Sequence, residues 1–268
     1  MPEGHSLHRL ADQLGELVGH AVAATSPQGR VDAGRVDGGR VSNVQAFGKH
    51  LLLTVEPVTG PSLDVHVHLG MRGKWLRFAP VTGPGLKQVR LRLARPVGPA
   101  PELAWDLIAP STCELLDGSQ RATLLAGLGP DPLRPDGDRE EAHRRVQRYP
   151  GTIGAALMDQ AVLAGVGNVF RAEILHACRI APDRPAARVG EAEFAELWER
   201  LQAMMRQGVT DGRIITVDVP EGSDRLAVAE DQSRRVYKQA VCYDCGTPVA
   251  TATVQGRTSY SCPHCQPD

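Results

Sequence analysis

Ile153-Gly154-Ala155-Ala156-Leu157-Met158-Asp159-Gln160-Ala161-Val162-Leu163-Ala164-Gly165-Val166-Gly167-Asn168-Val169-Phe170-Arg171-Ala172-Glu173-Ile174-Leu175 sets the architecture of the second half of this chain. The pattern predicts a helix to about Met158, two tight turns at the glycines, and a second helix capped by Asn168. Gly165 and Gly167 would let the backbone approach a phosphate closely, with free N–H groups of the helix N-terminus pointing at it. An ordinary helical hairpin is the competing reading of the segment by itself.

Downstream, Phe194, Leu197, Trp198, Leu201, Met204 and Met205 recur at helical spacing and read as a core-facing stripe. Gly208 to Ser233 has weak periodicity and reads as an extended, mobile connector. The chain then presents Cys242-x-x-Cys245, sixteen intervening residues, and Cys262-x-x-Cys265. Each Cys-x-x-Cys turn delivers two thiolates, and four thiolates suit a tetrahedral Zn2+, here one structural ion. His264, inside the second turn, is a poorer donor than the cysteines, and a redox dithiol is the competing use of the pairs. Thr251–Val254 and Arg257–Tyr260 flank Gln255-Gly256 as a β-hairpin between the two pairs. That hairpin would hold Arg257 on a rigid turn where it could meet a phosphate.

Upstream, Gly129-Pro130-Asp131-Pro132-Leu133-Arg134-Pro135-Asp136-Gly137 sustains neither helix nor strand and marks a linker. Before it lie strand-like runs at 41–44, 51–55, 63–69, 89–93 and 103–107, separated by Pro/Gly-rich pieces at 80–85 and 96–101. Val89, Leu91 and Leu93 alternate with Arg90 and Arg92, the mark of a half-buried strand. Leu7, Leu10, Ala11, Leu14 and Val18 predict a leading helix, whose positive end would face Pro2 and Glu3. Residues 1 to about 128 thus form one helix and a β-rich sandwich or barrel. The division is 1–128, a linker at 129–137, a helical region at 138–233 and a zinc module at 234–268.

The start, Met1-Pro2-Glu3-Gly4-His5, carries its own chemistry. Removal of Met1 leaves Pro2 as a terminal secondary amine with an ordinary pKa of about 8, so a substantial fraction is neutral at working pH and able to attack a sugar carbon. Glu3 could protonate a sugar oxygen as its ring opens, or simply interact with the end of the leading helix. Lys49, in Phe47-Gly48-Lys49, stands before a buried-looking strand and could reach a phosphate or leaving group. His66 and His68 share one strand face and invite a metal reading, but no carboxylate or third histidine is expected near them. Met71, between Gly70 and Gly73, could wedge into a base stack.

The bulk numbers restrain these ideas. The 268 residues allow two ordinary domains, and 42% hydrophobic with 23% charged residues is a globular composition. A net charge of −1 offers no general basic field, so phosphate contacts must come from locally placed cations. No apolar run approaches a membrane span and no signal peptide is evident, so no membrane partner is expected and the cytoplasm is the expected location. Cys113 and Cys178 stand alone, which suits a reducing compartment.

Together these segments resemble the formamidopyrimidine-DNA glycosylase / endonuclease VIII family over nearly the whole chain, and most of all its actinobacterial endonuclease VIII-like branch. The resemblance rests on Pro2-Glu3-Gly4, Phe47-Gly48-Lys49, His68-Leu69-Gly70-Met71-x-Gly73, Leu128-Gly129-Pro130-Asp131-Pro132-Leu133, the Asp159–Glu173 segment, and the cysteine hairpin with Gly256-Arg257. It implies an α+β multidomain fold: an N-terminal helix plus β-sandwich, then a helix-two-turn-helix domain with a zinc β-hairpin. It implies a monomeric, nucleoid-associated bacterial enzyme acting on double-stranded DNA that contains oxidised bases or abasic sites.

By that resemblance Pro2 forms the sugar iminium, Glu3 protonates the opening sugar, Lys49 serves β-elimination and Arg257 δ-elimination. Lys49, Asn168 and Arg257 contact phosphates, while Met71, with Leu69 or Arg72, fills the space of the flipped nucleotide. The family's second Pro-Glu is replaced by His5-Ser6. Its Arg-Phe insertion segment is replaced by Asp106-Leu107-Ile108-Ala109-Pro110. Both departures point to oxidised pyrimidines rather than 8-oxoguanine. A catalytically dead damage sensor and a zinc-ribbon RNA-processing or translation factor are the rival classes.

Overall fold

The computed structural model describes residues 2–81, 83–97 and 100–267. Met1, Thr82 in the first Pro/Gly-rich separator, Gly98 and Pro99 in the second, and Asp268 lie outside the described residues. The chain folds as two compact units, one of Pro2 and Leu7–Ala126, the other of Glu3–Ser6 and the chain from Gly127 onward.

The leading helix α1 (Gly4–Leu14) forms where the spacing placed it, with Leu7 and Leu14 buried. It tightens into a 3-10 turn at Gly15–Leu17, which cuts the residues per turn to about three and swings Leu17 inward. Val18, expected on the apolar stripe, is therefore exposed. The strands are β1 (Ala23–Thr25), β2 (Arg40–Phe47), β3 (His50–Glu56), β4 (Leu63–His68), β5 (Lys74–Phe78), β6 (Val89–Val97), β7 (Ala100–Ile108) and β8 (Thr112–Leu116). They make two four-stranded sheets, ordered β1-β6-β7-β5 and β2-β3-β4-β8, with every named pairing antiparallel. Side chains of both sheets meet in one apolar core, giving a sandwich. Leu91 and Leu93 point into it, as their alternation requires, and Val89, across a register shift, is also fully buried.

In the second sheet the alternation separates two chemistries. Leu51, Leu53, Val55, Val65 and Val67 face the core, fully buried. The opposite face of β3, β4 and β8 carries His50, Thr54, Asp64, His66 and Glu114, with His66 directly across from Glu114. A helix α2 (Gly118–Ala126) follows β8.

In the second unit the 129–137 segment is non-helical, and it is fastened down. Gly129 N donates to Gln160 O at 2.8 Å and Ala164 N to Pro130 O at 3.0 Å. Helix α3 (Arg139–Arg148) is capped by Asp138, which accepts from Glu141 N. The helix expected to run to Met158 is only the short α4 (Ile153–Ala156), capped by Thr152. Helix α5 (Asn168–Ala177) follows the two turns, and α6 (Glu191–Asp211) buries Phe194, Leu197, Trp198, Leu201 and Met205.

The connector expected from Gly208 begins later, because Gly208–Asp211 is the last turn of α6. Gly212, at φ 72°, closes that helix in the left-handed conformation glycine adopts without strain. The segment beyond has two 3-10 turns and buries Ile214, Ile215 and Val217. The chain finishes in the hairpin β9 (Ala250–Val254) and β10 (Arg257–Ser261). Gln255 and Gly256 both have positive φ, 50° and 70°, the two-residue turn that matches strand twist. Among the described residues no helix is long and apolar enough to cross a membrane.

Candidate active site and metal centre

Glu3 is fully buried, and its carboxylate caps α5. Oε2 accepts from Gly167 N at 2.9 Å and Phe170 N at 3.3 Å, and Oε1 accepts from Val169 N at 2.9 Å. A helix N-terminus has unsatisfied N–H groups and a positive dipole end, and a carboxylate answers both. The two-turn segment was expected to offer these N–H groups to a phosphate. Here a side chain from the start of the chain occupies them. Gly167 makes the close approach possible, since a Cβ there would lie 2.3 Å from Glu3 Cδ. Gly4 N donates to Gly165 O at 2.8 Å, fixing the backbone one residue further on. Pro2, immediately before Glu3, is half-buried.

Asn168 is the first residue of α5 rather than its cap, and no side chain of Gly167 exists to cap it. The Asn168 amide reaches across instead, Nδ2 donating to Thr258 O at 2.9 Å on β10. Arg171 Nη2 donates to the same carbonyl at 3.1 Å and to Asn168 Oδ1. Arg171 is fully buried, and burial first, then Arg257, lowers its pKa to about 10, with Glu3 pulling the other way. Arg257 itself is exposed beside the hairpin turn.

Further along α5, Glu173 accepts from the backbone N–H groups of Arg235 at 2.8 Å, Val236 at 3.1 Å and Tyr237 at 2.8 Å, and from the Thr216 hydroxyl. His176 Nε2 lies 3.3 Å from Cys242 Sγ. Sequence reasoning missed Arg171, Glu173 and His176. A signal existed: they interrupt the otherwise apolar Val169–Ala177 run, and polar groups in a helix buried all round must be partnered.

The four cysteines converge as their spacing predicts. Their sulfurs all lie within 4.8 Å of one another, with Cys242–Cys265 at 3.9 Å, Cys245–Cys262 at 3.4 Å and Cys245–Cys265 at 3.5 Å. Tetrahedral thiolates at zinc–sulfur bonds of about 2.3 Å stand roughly 3.8 Å apart, so the donor set fits one metal ion. Among the described residues it is the one such group, and the exposed His264 is outside it.

In the first unit, Lys49 sits on the β2–β3 turn, after Gly48 at φ 58°. Met71, 76% exposed, and Arg72, also exposed, form the tip after β4. Gly73 is obligatory there, because a Cβ would lie 2.3 Å from Leu69 O. Asp106 is buried on β7 and held by Arg92 at 2.6 and 3.0 Å. Ala109-Pro110-Ser111 is a short turn into β8.

His66 and His68 do share a face, but the sequence expectation that no carboxylate or third histidine stands near them is corrected. Register brings Glu114 Oε1 to 2.9 Å from His66 Nδ1 and His50 Nδ1 to 2.8 Å from His66 Nε2. The lone thiols of Cys113 and Cys178 are both pushed up to about 12, chiefly by burial.

Residues 1–104 match the formamidopyrimidine-DNA glycosylase N-terminal domain, and residues 128–219 match the formamidopyrimidine-DNA glycosylase H2TH domain. The chain belongs to the formamidopyrimidine-DNA glycosylase and endonuclease 8 family, the DNA glycosylases of base excision repair that also cleave at abasic sites. Within it, the protein named Endonuclease 8 1 of Mycobacterium tuberculosis is 41% identical over 276 residues, covering 99% of this chain and 100% of that one. A probable endonuclease 8 2 of Streptomyces coelicolor is 32% identical, covering 99% and 94%. In fold, the chain is similar to Lactococcus lactis formamidopyrimidine-DNA glycosylase bound non-covalently to DNA containing an abasic site, with TM-score 0.77, 20% identity, and coverage of 99% and 100%.

Proposed function

We propose that the chain is a bifunctional DNA glycosylase and abasic-site lyase that uses the Pro2 amine as its nucleophile and favours oxidised pyrimidines. The observation that carries this reading is the Glu3 carboxylate, buried and fixed by three backbone N–H groups, one peptide bond away from Pro2. Positioning a carboxylate so tightly beside a terminal amine serves chemistry at a sugar carbon better than it serves DNA binding alone.

In this mechanism the Pro2 nitrogen bonds to C1′ as the C1′–base bond breaks, and the base leaves with the electron pair. Glu3 takes the proton that the attacking amine sheds and hands it to the ring oxygen as the C1′–O4′ bond breaks, leaving the Pro2 nitrogen as the iminium. Lys49 then serves β-elimination and Arg257 δ-elimination. Lys49, Asn168 and Arg257 contact backbone phosphates. Met71, with Leu69 or Arg72, takes the space of the extruded nucleotide, which costs a few kcal/mol to remove from the stack. The exposure of Met71 on a glycine-bounded tip supports that role. The short Ala109-Pro110-Ser111 turn, without an Arg-Phe pair, and His5-Ser6 support the pyrimidine preference.

The substrate is double-stranded DNA bearing an oxidised base or an abasic site, and the abasic-site DNA held by the Lactococcus lactis protein supports this. One structural Zn2+ is held by Cys242, Cys245, Cys262 and Cys265, keeping the hairpin that carries Arg257 folded. The protein works as a monomer in the bacterial cytoplasm, associated with the nucleoid. Residues 1–128 form the catalytic domain, 129–137 the linker, 138–233 the DNA-binding helical domain and 234–268 the zinc hairpin.

The test is incubation of Met1-free protein with an abasic-site duplex and sodium borohydride. A covalent protein–DNA band is expected, absent when Met1 is retained or Pro2 is changed. Duplex binding without any band would replace this reading with a damage sensor.

A further inference from the structure

The polar face of the second sheet carries a chain of titratable groups that the mechanism above leaves unused. Glu114, with its side chain 52% exposed, meets His66, only 5% exposed, at 2.9 Å. His66 meets His50 at 2.8 Å, and the two rings stack at 5.1 Å between centroids. His50 is joined by one peptide bond to Lys49, and the Lys49 charge acts on both His50 and His68.

The hydrogen-bond directions follow from the anchoring carboxylate. An ionised Glu114 can only accept, so His66 Nδ1–H donates to it and His66 Nε2 is left as an acceptor. His50 Nδ1–H must then donate to His66, which leaves His50 Nε2 a bare lone pair. Burial, then His66, His68 and Lys49, holds the pKa of His50 down to about 4, so at neutral pH the ring is neutral and can pass a proton on only by releasing one from Nδ1 as it takes one at Nε2.

Other titratable groups on this face have partners of their own. Asp64 on β4 takes the Thr54 hydroxyl at 2.6 Å and lies 3.3 Å from Arg121 of α2, whose guanidinium also stands over the Phe47 ring. His68 Nδ1 is with the Ser111 hydroxyl at 2.8 Å, and its pKa is lowered by burial, then Lys49 and His66.

We infer that Glu114, His66 and His50 form a proton relay that carries the proton released during strand elimination from Lys49 to solvent. The inference rests on the proposed lyase reading. Lys49 takes the C2′ proton, the electron pair of the C2′–H bond becomes the C2′=C3′ double bond, and the C3′–O bond breaks with its pair on the phosphate. Lys49 passes a proton to His50 Nε2, His50 Nδ1 gives its proton to His66 Nε2, and His66 Nδ1 gives its own to Glu114, which exchanges with water. His66 and Glu114 touch no reacting atom and act through Lys49.

The experiment compares two rates on an abasic-site duplex, borohydride trapping of the iminium and single-turnover strand cleavage, for the unchanged protein, Glu114→Gln, His66→Phe and His66→Ala. Glutamine keeps an acceptor for His66 but cannot take its proton, and at this exposed position it leaves the fold intact. Trapping at the normal rate is expected in every variant, with cleavage slowed by about tenfold or more. Free imidazole should restore cleavage in His66→Ala. Normal cleavage in Glu114→Gln and His66→Phe would overturn the relay while leaving the amine chemistry standing. Parallel loss of trapping and cleavage in Glu114→Gln, with thermal stability unchanged, would also overturn it. Absence of a trapped band in the unchanged protein would instead remove the lyase reading on which the relay rests.

Discussion

Replacing Gly167 with alanine separates the position of Glu3 from its chemistry. The φ of −121° at Gly167 suits alanine, so the substitution adds no backbone strain. The new Cβ would lie 2.3 Å from Glu3 Cδ, 2.5 Å from Oε1 and 2.7 Å from Cγ. Comfortable carbon–carbon contact begins at about 3.5 Å, so the carboxylate has to retreat by roughly 1 Å. Its bonds to Gly167 and Val169, both 2.9 Å, then stretch past useful length, and the 3.3 Å bond to Phe170 goes with them.

Each buried N–H left without a partner costs about 1–3 kcal/mol, and partial relaxation brings the expected total to about 3 kcal/mol. At roughly 2–4 °C per kcal/mol, the melting temperature of the second unit should fall by roughly 6–12 °C. A misplacement of about 1 Å should also slow excision about a hundredfold, although every proposed catalytic side chain is still present. Thermal melting and single-turnover base release read the two effects separately. Melting within experimental error of the unchanged protein, together with normal excision, would refute the anchoring of Glu3 by α5.

Three further outcomes follow from the same geometry. Chelation of the metal that the four cysteines would hold should unfold the hairpin and weaken duplex affinity, and an unchanged Kd after verified metal loss would contradict that. Lys49→Ala and Arg257→Ala should each reduce the slope of log affinity against log salt by about 0.9, measured by fluorescence anisotropy, and an unaltered slope removes that phosphate contact. On matched duplexes, thymine glycol or dihydrouracil should be released faster than 8-oxoguanine opposite cytosine, and the reverse order would overturn the lesion preference.

The legible parts of the fold were those with a strong period or a fixed covalent requirement. Val89–Leu93 and the α6 stripe announced themselves by alternation and by helical spacing, and the cysteine pairs by the geometry of a tetrahedron. Strand β1 is only three residues long, and β5 and β8 follow no apolar run, so they emerge only when partner strands complete their hydrogen bonds. The same holds at the site. Pro2, Glu3 and the cysteines stood out locally. The anchoring of Glu3 depends on amides 164 to 167 residues away, which no local pattern encodes. Asn168 looked like a cap because Asn before a helix usually is one; the carboxylate took that place and freed the amide for Thr258. Glu114 was invisible beside His66 because 48 residues separate them, and only strand register makes them neighbours.

The capping of α5 by Glu3 has a consequence for biosynthesis. Glu3 is made 164 residues before Gly167. At ribosomal speeds of about 5–20 residues per second, the nascent chain waits roughly 8–33 s before the amides that receive its carboxylate exist. For most of that interval the N-terminal end is outside the ribosome while Glu3 has no fixed place. The removal of Met1 that the proposed chemistry requires therefore meets an unanchored peptide until α5 forms.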